Sequence, residues 1–296
     1  YCPDRKYMIE LNKAHKNFVD HLDELGRAES TLIAYGKDIE QLVEYLEKQG
    51  VEKVHDIELD HLESFMKKLF DEDYTPKSVS RKTNSTKTFF RFLADKGHVE
   101  DNVADDLKHP KVKVKAPRIL SKLEYRALRD AAREDLRAYA IIETLLQTGI
   151  TISELAGMEM GHTDLEKGTL FVPEKNNKPA RTIPLNRAVV DAVTRYIEEE
   201  RPEIEDATHV FITKTGNPLL VRNIRSTIKR YYDKAGVEDA KVNDLRHTFV
   251  AHHLAKGTNL LHVSKIAGHV RVSTTERYLE YIERESEDEK TELGVL

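Results

Sequence analysis

The chain has 296 residues, 39% of them apolar and 33% charged, with a formal net charge of -5. That length suggests two domains of ordinary size. No window is apolar enough to span a bilayer, because Glu143 interrupts the run from Ala138 to Leu146. Cys2 is the single cysteine, which excludes an internal disulfide framework and a cysteine-based zinc site and fits a reducing cytoplasm. The opening YCPDRKYMIEL lacks a basic flank followed by an apolar core, so no signal peptide is expected. The slightly acidic total conceals an asymmetry. From Thr75 to Arg118 there are 11 Lys/Arg against 5 Asp/Glu, and from Glu283 to Glu292 there are 6 acids against 2 bases.

Residues 11 to 106 read as helices. Apolar residues recur at helical spacing at Phe18, Leu22 and Leu25, then at Leu32, Tyr35, Ile39, Leu42, Tyr45 and Leu46. Ser30 is the expected N-cap of the second run; Gly50, Pro76 and Gly97 punctuate. A further amphipathic helix begins after Thr75-Pro76 and carries Val79, Phe89, Phe90 and Leu93. The expectation is a bundle of four or five short helices over residues 8–107. Residues 108–118 follow, with Lys108, Lys111, Lys113, Lys115 and Arg118 among prolines and valines and no acid. This composition suits an extended linker or a solvated surface strand, and lysines at alternate positions can track a phosphate backbone.

Residues 119–296 read as a mixed domain. Helices are expected over Lys122 to Ala132, Leu136 to Thr148 and Ile152 to Met158. Thr169 to Val172 and Arg181 to Pro184 alternate like strands about the turn-rich PEKNNKPA, which predicts a β-hairpin. His209 to Thr213 is a candidate third strand. Helices then follow over Leu220 to Ala235, Asp244 to Lys256, Leu260 to Ala267 and Ser273 to Glu283, the last three separated by Gly257 and Gly268.

The densest cluster of reactive side chains is NDLRHTFVAHHLAKG, Asn243 to Gly257, with AGHVRVSTTERYLEYI, Ala267 to Ile282. Arg246, His247, His269 and Tyr278 are donors or nucleophiles. Taken singly, each has an ordinary structural role: an Arg beside His on a solvated helix face, a Tyr packed with Leu279 and Ile282. The glycine breaks also suit a helix-turn-helix reader of DNA. No His-Glu-x-x-His and no Cys/His spacing appears among the 13 histidines, so neither a metal nor another cofactor is expected.

Order and spacing together say more. TGITISELAGM, PEKNNKPARTIPL, NDLRHTF and AGHVRVSTTERY, in that order, resemble the four catalytic motifs of the tyrosine recombinases of the Xer and phage-integrase type. ESTLIAYGKDIEQLVEYL and TPKSVSRKTNSTKTFFRFLADKGHVEDNVADDL resemble that family's core-binding domain. The resemblance implies a mainly α fold with a small hairpin or three-stranded sheet: a helical, SAM-like core-binding domain and an α+β catalytic domain. It also implies metal-free, ATP-free cutting and rejoining of double-stranded DNA through a 3′-phosphotyrosine, by a homo-oligomer of two to four subunits that is cytoplasmic and not membrane-bound. Under this resemblance Tyr278 matches the nucleophile, Arg246 the second phosphate-clamping arginine, and His269 a hydrogen-bond donor. Lys175 is the best match to the hairpin lysine that protonates the leaving oxygen, with Lys178 its rival because the loop is one residue longer than the pattern.

Two positions depart from the pattern. Asn243 replaces a histidine; an amide still donates a hydrogen bond but cannot shuttle protons near neutral pH. Thr151 replaces the first arginine, exchanging a charged fork for a short neutral hydroxyl. Arg137 and Lys122 are candidate substitute cations. Thr151 keeps open the alternative of a catalytically inactive, accessory DNA-binding protein on the recombinase fold. The resemblance further implies DNA contacts by Thr31, Lys37, Arg81, Lys82, Lys87 and Arg91, besides the linker residues Lys111, Lys113 and Lys115. A solvated charged face is the competing reading.

Overall fold

The computed structural model describes residues 9–112, 115–175 and 178–292, with side chains as far as residue 282. Cys2 and Lys113 lie outside the described residues. The chain divides into two compact units, residues 1–114 and 115–296. As expected, it is mainly helical with one small three-stranded sheet.

The first unit holds four helices, α1 (Leu11–Glu24), α2 (Glu29–Lys48), α3 (Leu59–Asp71) and α4 (Pro76–Asp95), with short 3-10 turns at Val54–Asp56 and Val103–Asp106. Their apolar stripes meet in a core that includes Phe18, Leu42, Leu46, Phe65, Phe89 and Phe90. Phe18 packs edge-on to Phe89 with ring centres 5.2 Å apart, the geometry that aromatic quadrupoles favour. Thr75 caps α4 by accepting from the Ser78 N–H at 3.3 Å, and Pro76 occupies the first helical position, where its missing N–H costs nothing. The expected cap at Ser30 is corrected. Helix α2 starts two residues earlier, at Glu29, whose carboxylate suits the positive end of the helix; Ser30 lies inside the first turn and Ala28 is the cap.

One feature of this core was not expected. Asp38 is buried and accepts from Lys82 Nζ at 2.9 Å, from Ser85 Oγ at 3.0 Å and from Arg81. Lys82 also donates to Gln41 Oε1 at 2.6 Å. Removing one partner of such a pair strands the other charge in low dielectric. Asp38→Ala is expected to cost about 3–5 kcal/mol, read as a lower urea midpoint. A loss under about 1 kcal/mol, the ordinary value of a surface pair, would show that Lys82 escapes to water.

The second unit contains α5 (Lys122–Ala132), α6 (Leu136–Thr148), α7 (Ile152–Ala156), β1 (Thr163–Asp164), β2 (Thr169–Val172), β3 (Arg181–Pro184), α8 (Arg187–Glu199), α9 (Val221–Lys234), α10 (Val242–Ala255), α11 (Leu260–Ala267) and α12 (Ser273–Glu292). The sheet is antiparallel in the order β1-β2-β3, with Leu170 opposite Ile183 and Val172 opposite Arg181. Leu170, Val172 and Ile183 enter the core with Ile141, Leu145 and Val193.

Two element assignments are corrected. His209 to Thr213 forms no strand. It makes single bridges, His209 to Glu159 and Ile212 to Pro218, and a proline has no N–H with which to extend a ladder. The third strand is instead the short β1. Helix α12 runs on to Glu292, past the expected end at Glu283, because no Gly or Pro intervenes before Gly294. The described part of residues 108–118 has no regular secondary structure. Its end is fastened to the second unit: Arg118 Nη2 donates to Glu124 Oε1 at 2.6 Å, and the Leu120 N–H to Thr248 Oγ1 at 2.8 Å.

Candidate active site

The site is built from four short stretches that meet beside the end of α6. Gly149 ends α6 with φ +64°, and a β-carbon there would lie 2.3 Å from the Phe249 ring on α10. Only glycine meets both demands. The turn is stapled by Arg246 of α10, whose Nη1 donates to the carbonyls of Gly149 and Ala267, each at 2.5 Å. A guanidinium has five N–H donors, so these two bonds orient Arg246 and leave others for an anion.

Thr151 is the N-cap of α7. Its hydroxyl accepts from the Glu154 N–H at 3.3 Å, and Glu154 Oε2 accepts from the Thr151 N–H at 2.8 Å, a reciprocal capping box. The hydroxyl that stands in place of an arginine therefore has a local structural task. Glu154 also binds Arg181 of β3, Nη1 to Oε1 at 3.1 Å and Nη2 to Oε2 at 3.0 Å, while Arg181 Nε donates to the Ile266 carbonyl at 2.8 Å. Burial alone would raise the Glu154 pKa. The Arg181 hydrogen bonds, the Thr151 N–H and the charges of Arg181 and Lys178 outweigh it and lower the value to about 2. Gly268, with φ +70°, follows α11; a β-carbon there would lie 2.6 Å from the Arg181 guanidinium carbon.

The hairpin places its two lysines differently. The backbones of Lys175 and Lys178 bond to each other, closing the turn. Lys178 Nζ lies 3.6 Å from Glu154 Oε1 and its side chain is 31% exposed, while the Lys175 side chain is exposed. Lys178, the rival, is thus the hairpin lysine that joins the cluster.

His269 follows Gly268. Its Nδ1 is 2.7 Å from the buried Thr275 hydroxyl. Burial first, then the charges of Arg246 and Lys178, lower its pKa to about 4, so near neutrality it is an uncharged imidazole. A Thr275 hydroxyl donating to Nδ1 leaves Nε2–H as a donor. Tyr278, on α12, is 6% exposed and packs with Phe249, Leu254 and Val263. Its ring stacks on His269 at 6.4 Å and its hydroxyl hydrogen-bonds His247 Nδ1. Burial raises the Tyr278 pKa, and the charge of Arg246 opposes that rise. Asn243 Nδ2 lies 2.8 Å from His247 Nε2.

The cluster therefore gathers Arg246, His269 and Tyr278 with Asn243, His247 and Lys178. The expected substitute cations do not join it. Arg137 sits at the opposite end of α6, roughly 18 Å away along the helix axis, and donates to the Ile212 carbonyl at 3.2 Å. Lys122 is exposed at the start of α5. A cavity of about 410 Å³ beside the turn is lined by Ile150, Ile152, Arg225, Lys229, Lys241 and Arg246, among others. Lys241 donates its backbone N–H to Asp244 Oδ2 at 2.7 Å, and among the described residues no side-chain ion pair is seen for Arg225, Lys229 or Lys241. Glu154 and Arg181 were not foreseen, although the Thr-x-x-Glu spacing in TGITISEL is itself a capping-box signal. Among the described residues, no group of three or more His, Cys, Asp or Glu could hold a metal ion, and no helix is long and apolar enough to cross a membrane.

The candidate DNA contacts in the first unit also separate. Lys82 is 5% exposed, and its ammonium donates to Asp38 and Gln41. Arg81 is half-exposed but paired with Asp38, and Lys87 Nζ donates to the Asp105 carbonyl at 3.0 Å. Lys37 and Arg91 are exposed and Thr31 is partly so. Lys111 and Lys115 are exposed in the unstructured segment.

The site thus centres on a buried tyrosine with His247, His269 and Arg246 around it, in a helical domain that carries a small sheet. The chain belongs to the phage integrase family: residues 118–284 match the family's model, and residues 16–97 match the model of its N-terminal SAM-like domain. Among curated proteins it is 29% identical to tyrosine recombinase XerC of Roseiflexus castenholzii, over 90% of this chain and 88% of that one. It is 30% identical to XerC of Natranaerobius thermophilus, over 91% of each. Among solved structures, a lambda integrase dimer bound to a COC′ core site shares the fold with a TM-score of 0.74 at 18% identity, over 92% of this chain and 78% of that one.

Proposed function

We propose that the protein is a site-specific DNA recombinase that binds double-stranded DNA and cuts and rejoins it through Tyr278. The observation that carries this reading is the convergence of a buried tyrosine hydroxyl, Arg246, His269 and Lys178 from four separate elements. Family membership supports it, as does the likeness to XerC over nearly the whole chain. The Tyr278 oxygen attacks the scissile phosphorus and the 5′ oxygen leaves, so the bond energy is kept in a 3′-phosphotyrosine. Arg246 and the His269 Nε2–H meet the charge that builds on the non-bridging oxygens. Lys178, near the tip of a hairpin, protonates the leaving oxygen. Residues 8–107 form the core-binding domain, 119–296 the catalytic domain and 108–118 the linker. Lys37, Arg91, Lys111 and Lys115 contribute backbone contacts, which set register and affinity more than sequence choice. Solved structures of similar fold include a lambda integrase dimer bound to a core site and a lambda integrase tetramer bound to a Holliday junction; assembly of two to four copies on DNA is proposed here by that analogy.

The test is a nicked suicide duplex, from which the cut end cannot be rejoined. The wild-type protein is expected to form a covalent adduct that vanishes in Tyr278→Phe. Lys178→Ala is expected to slow adduct formation by about 10²-fold or more, and Lys175→Ala by less than threefold. No adduct with the wild type on any duplex would leave the accessory DNA-binding reading in its place.

A further inference from the structure

Tyr278 must lose a proton as it attacks, and the three other groups assigned above do not accept one. Arg246 and Lys178 are cations. His269 offers its Nε2–H toward the phosphate and engages Thr275 with the other nitrogen. The Tyr278 pKa is raised by burial, so at neutral pH fewer than about one phenol in 10³ is ionised. A neutral phenol is a poor nucleophile and needs a base within hydrogen-bond reach.

His247 is within that reach. Its Nδ1 bonds the Tyr278 hydroxyl, and its Nε2 lies 2.8 Å from the Asn243 amide. The three side chains form a chain in the order Asn243, His247, Tyr278, although His247 and Tyr278 stand on different helices. We propose that His247 is the general base that takes the Tyr278 proton, and that Asn243 is the positioning residue that holds its ring through Nε2. The inference rests on the recombinase reading.

The chemistry balances. As the Tyr278 Oη–P bond forms and the P–O5′ bond breaks, the phenol proton moves to His247 Nδ1 and the 5′ oxygen takes a proton from Lys178. In rejoining, the incoming 5′ hydroxyl returns a proton to Lys178 and His247 returns one to the tyrosine oxygen. For Nδ1 to accept, Nε2 must carry hydrogen and needs an acceptor of its own. The Asn243 amide supplies one after a half-turn about its last torsion, which exchanges its NH₂ for its oxygen. This gives a physical account of asparagine at position 243: it serves either tautomer of His247 and adds no titration of its own.

The ionisable groups facing His247 are Asp244 and Arg246 from its own helix, Tyr278 from α12 and His269 from the turn after α11. Burial first, then Arg246, lowers the His247 pKa against the opposing charge of Asp244, so the imidazole is neutral and able to accept at physiological pH.

The experiment measures adduct formation on the suicide duplex against pH, for the wild type, His247→Gln and Asn243→Ala. Glutamine keeps a hydrogen-bonding amide but is no base. His247→Gln is expected to slow adduct formation by about 10²–10³-fold, with DNA affinity by gel shift and the thermal midpoint near wild type. The wild-type rate is expected to fall at acid pH with a midpoint below 6.5, and His247→Gln to lose that limb. Asn243→Ala is expected to keep the limb but move its midpoint. A duplex with sulfur at the bridging 5′ position supplies a leaving group that needs no proton: it should restore Lys178→Ala and leave His247→Gln slow. A His247→Gln rate within threefold of wild type, or its rescue by the sulfur substrate, overturns the role and leaves the recombinase reading intact. Absence of any wild-type adduct overturns both.

Discussion

Thr151→Arg is expected to raise the rate of covalent adduct formation by roughly 10²-fold or more, and to lower the stability of the protein. The gain follows from electrostatics. In the wild type the turn offers a neutral hydroxyl that is already bound to the Glu154 N–H. Arginine brings a charged fork to a site where phosphoryl charge develops, and single donors or arginines of this kind are commonly worth about 10²–10⁵ in rate. The cost follows from the same hydrogen bond. Thr151 is the cap of α7, and loss of a cap costs about 1 kcal/mol. Its backbone, φ -77° and ψ 157°, is extended and accepts any residue, so the cost stays local. The two effects are read separately, as adduct rate on the suicide duplex and as a melting midpoint lowered by roughly 2–4 °C. A rate gain below tenfold would sink the idea that position 151 lacks a needed cation. It would instead assign that charge to Arg225, Lys229 or Lys241 in the adjoining cavity.

What could be read in advance divides along sequence distance. The Thr-Gly turn, the hairpin and the Arg-His and His-to-Tyr spacings are local patterns, and their order along the chain points to their residues without knowledge of the packing. The Asn243, His247 and Tyr278 chain joins residues up to 35 positions apart on two helices, so only the packed fold reveals it. The hairpin lysine was ambiguous for a different reason. One added residue shifts alternation by one side, and only the closed turn between Lys175 and Lys178 shows which ammonium approaches Glu154. Lys82 reads as solvated because lysine seldom enters a core. Its burial depends on Asp38, 44 positions earlier, and on Gln41. Residues 209 to 213 have strand composition, yet the partner they meet ends in proline and admits only isolated bridges.

The buried pair of Glu154 and Arg181 gives the largest expected loss of stability in the second unit. Arg181 is 3% exposed on its side chain and its charge is met by one carboxylate, which also caps α7 through the Thr151 N–H. Glu154→Ala removes the counter-charge and the acceptor together, leaves the guanidinium buried, and is expected to cost about 3–5 kcal/mol. It also releases Lys178 from its ion pair and unseats α11, whose Ile266 carbonyl accepts from Arg181, so the candidate site loosens with the fold. The pH dependence has a defined sign. Folding lowers the Glu154 pKa from 4.5 to about 2, so the folded state favours the ionised form. The associated stability is fully present above about pH 4.5 and is lost as pH falls toward 2, an amount on the order of 3 kcal/mol. Glu154→Gln keeps the shape and one acceptor but cannot titrate. Urea unfolding at pH 7, 5 and 3 separates the contributions. The wild type is expected to lose more stability than Glu154→Gln between pH 5 and 3, and the two curves to run parallel between pH 7 and 5. Equal losses between pH 5 and 3 would mean that the acid sensitivity of this unit lies elsewhere and that the Arg181 charge is met by solvent.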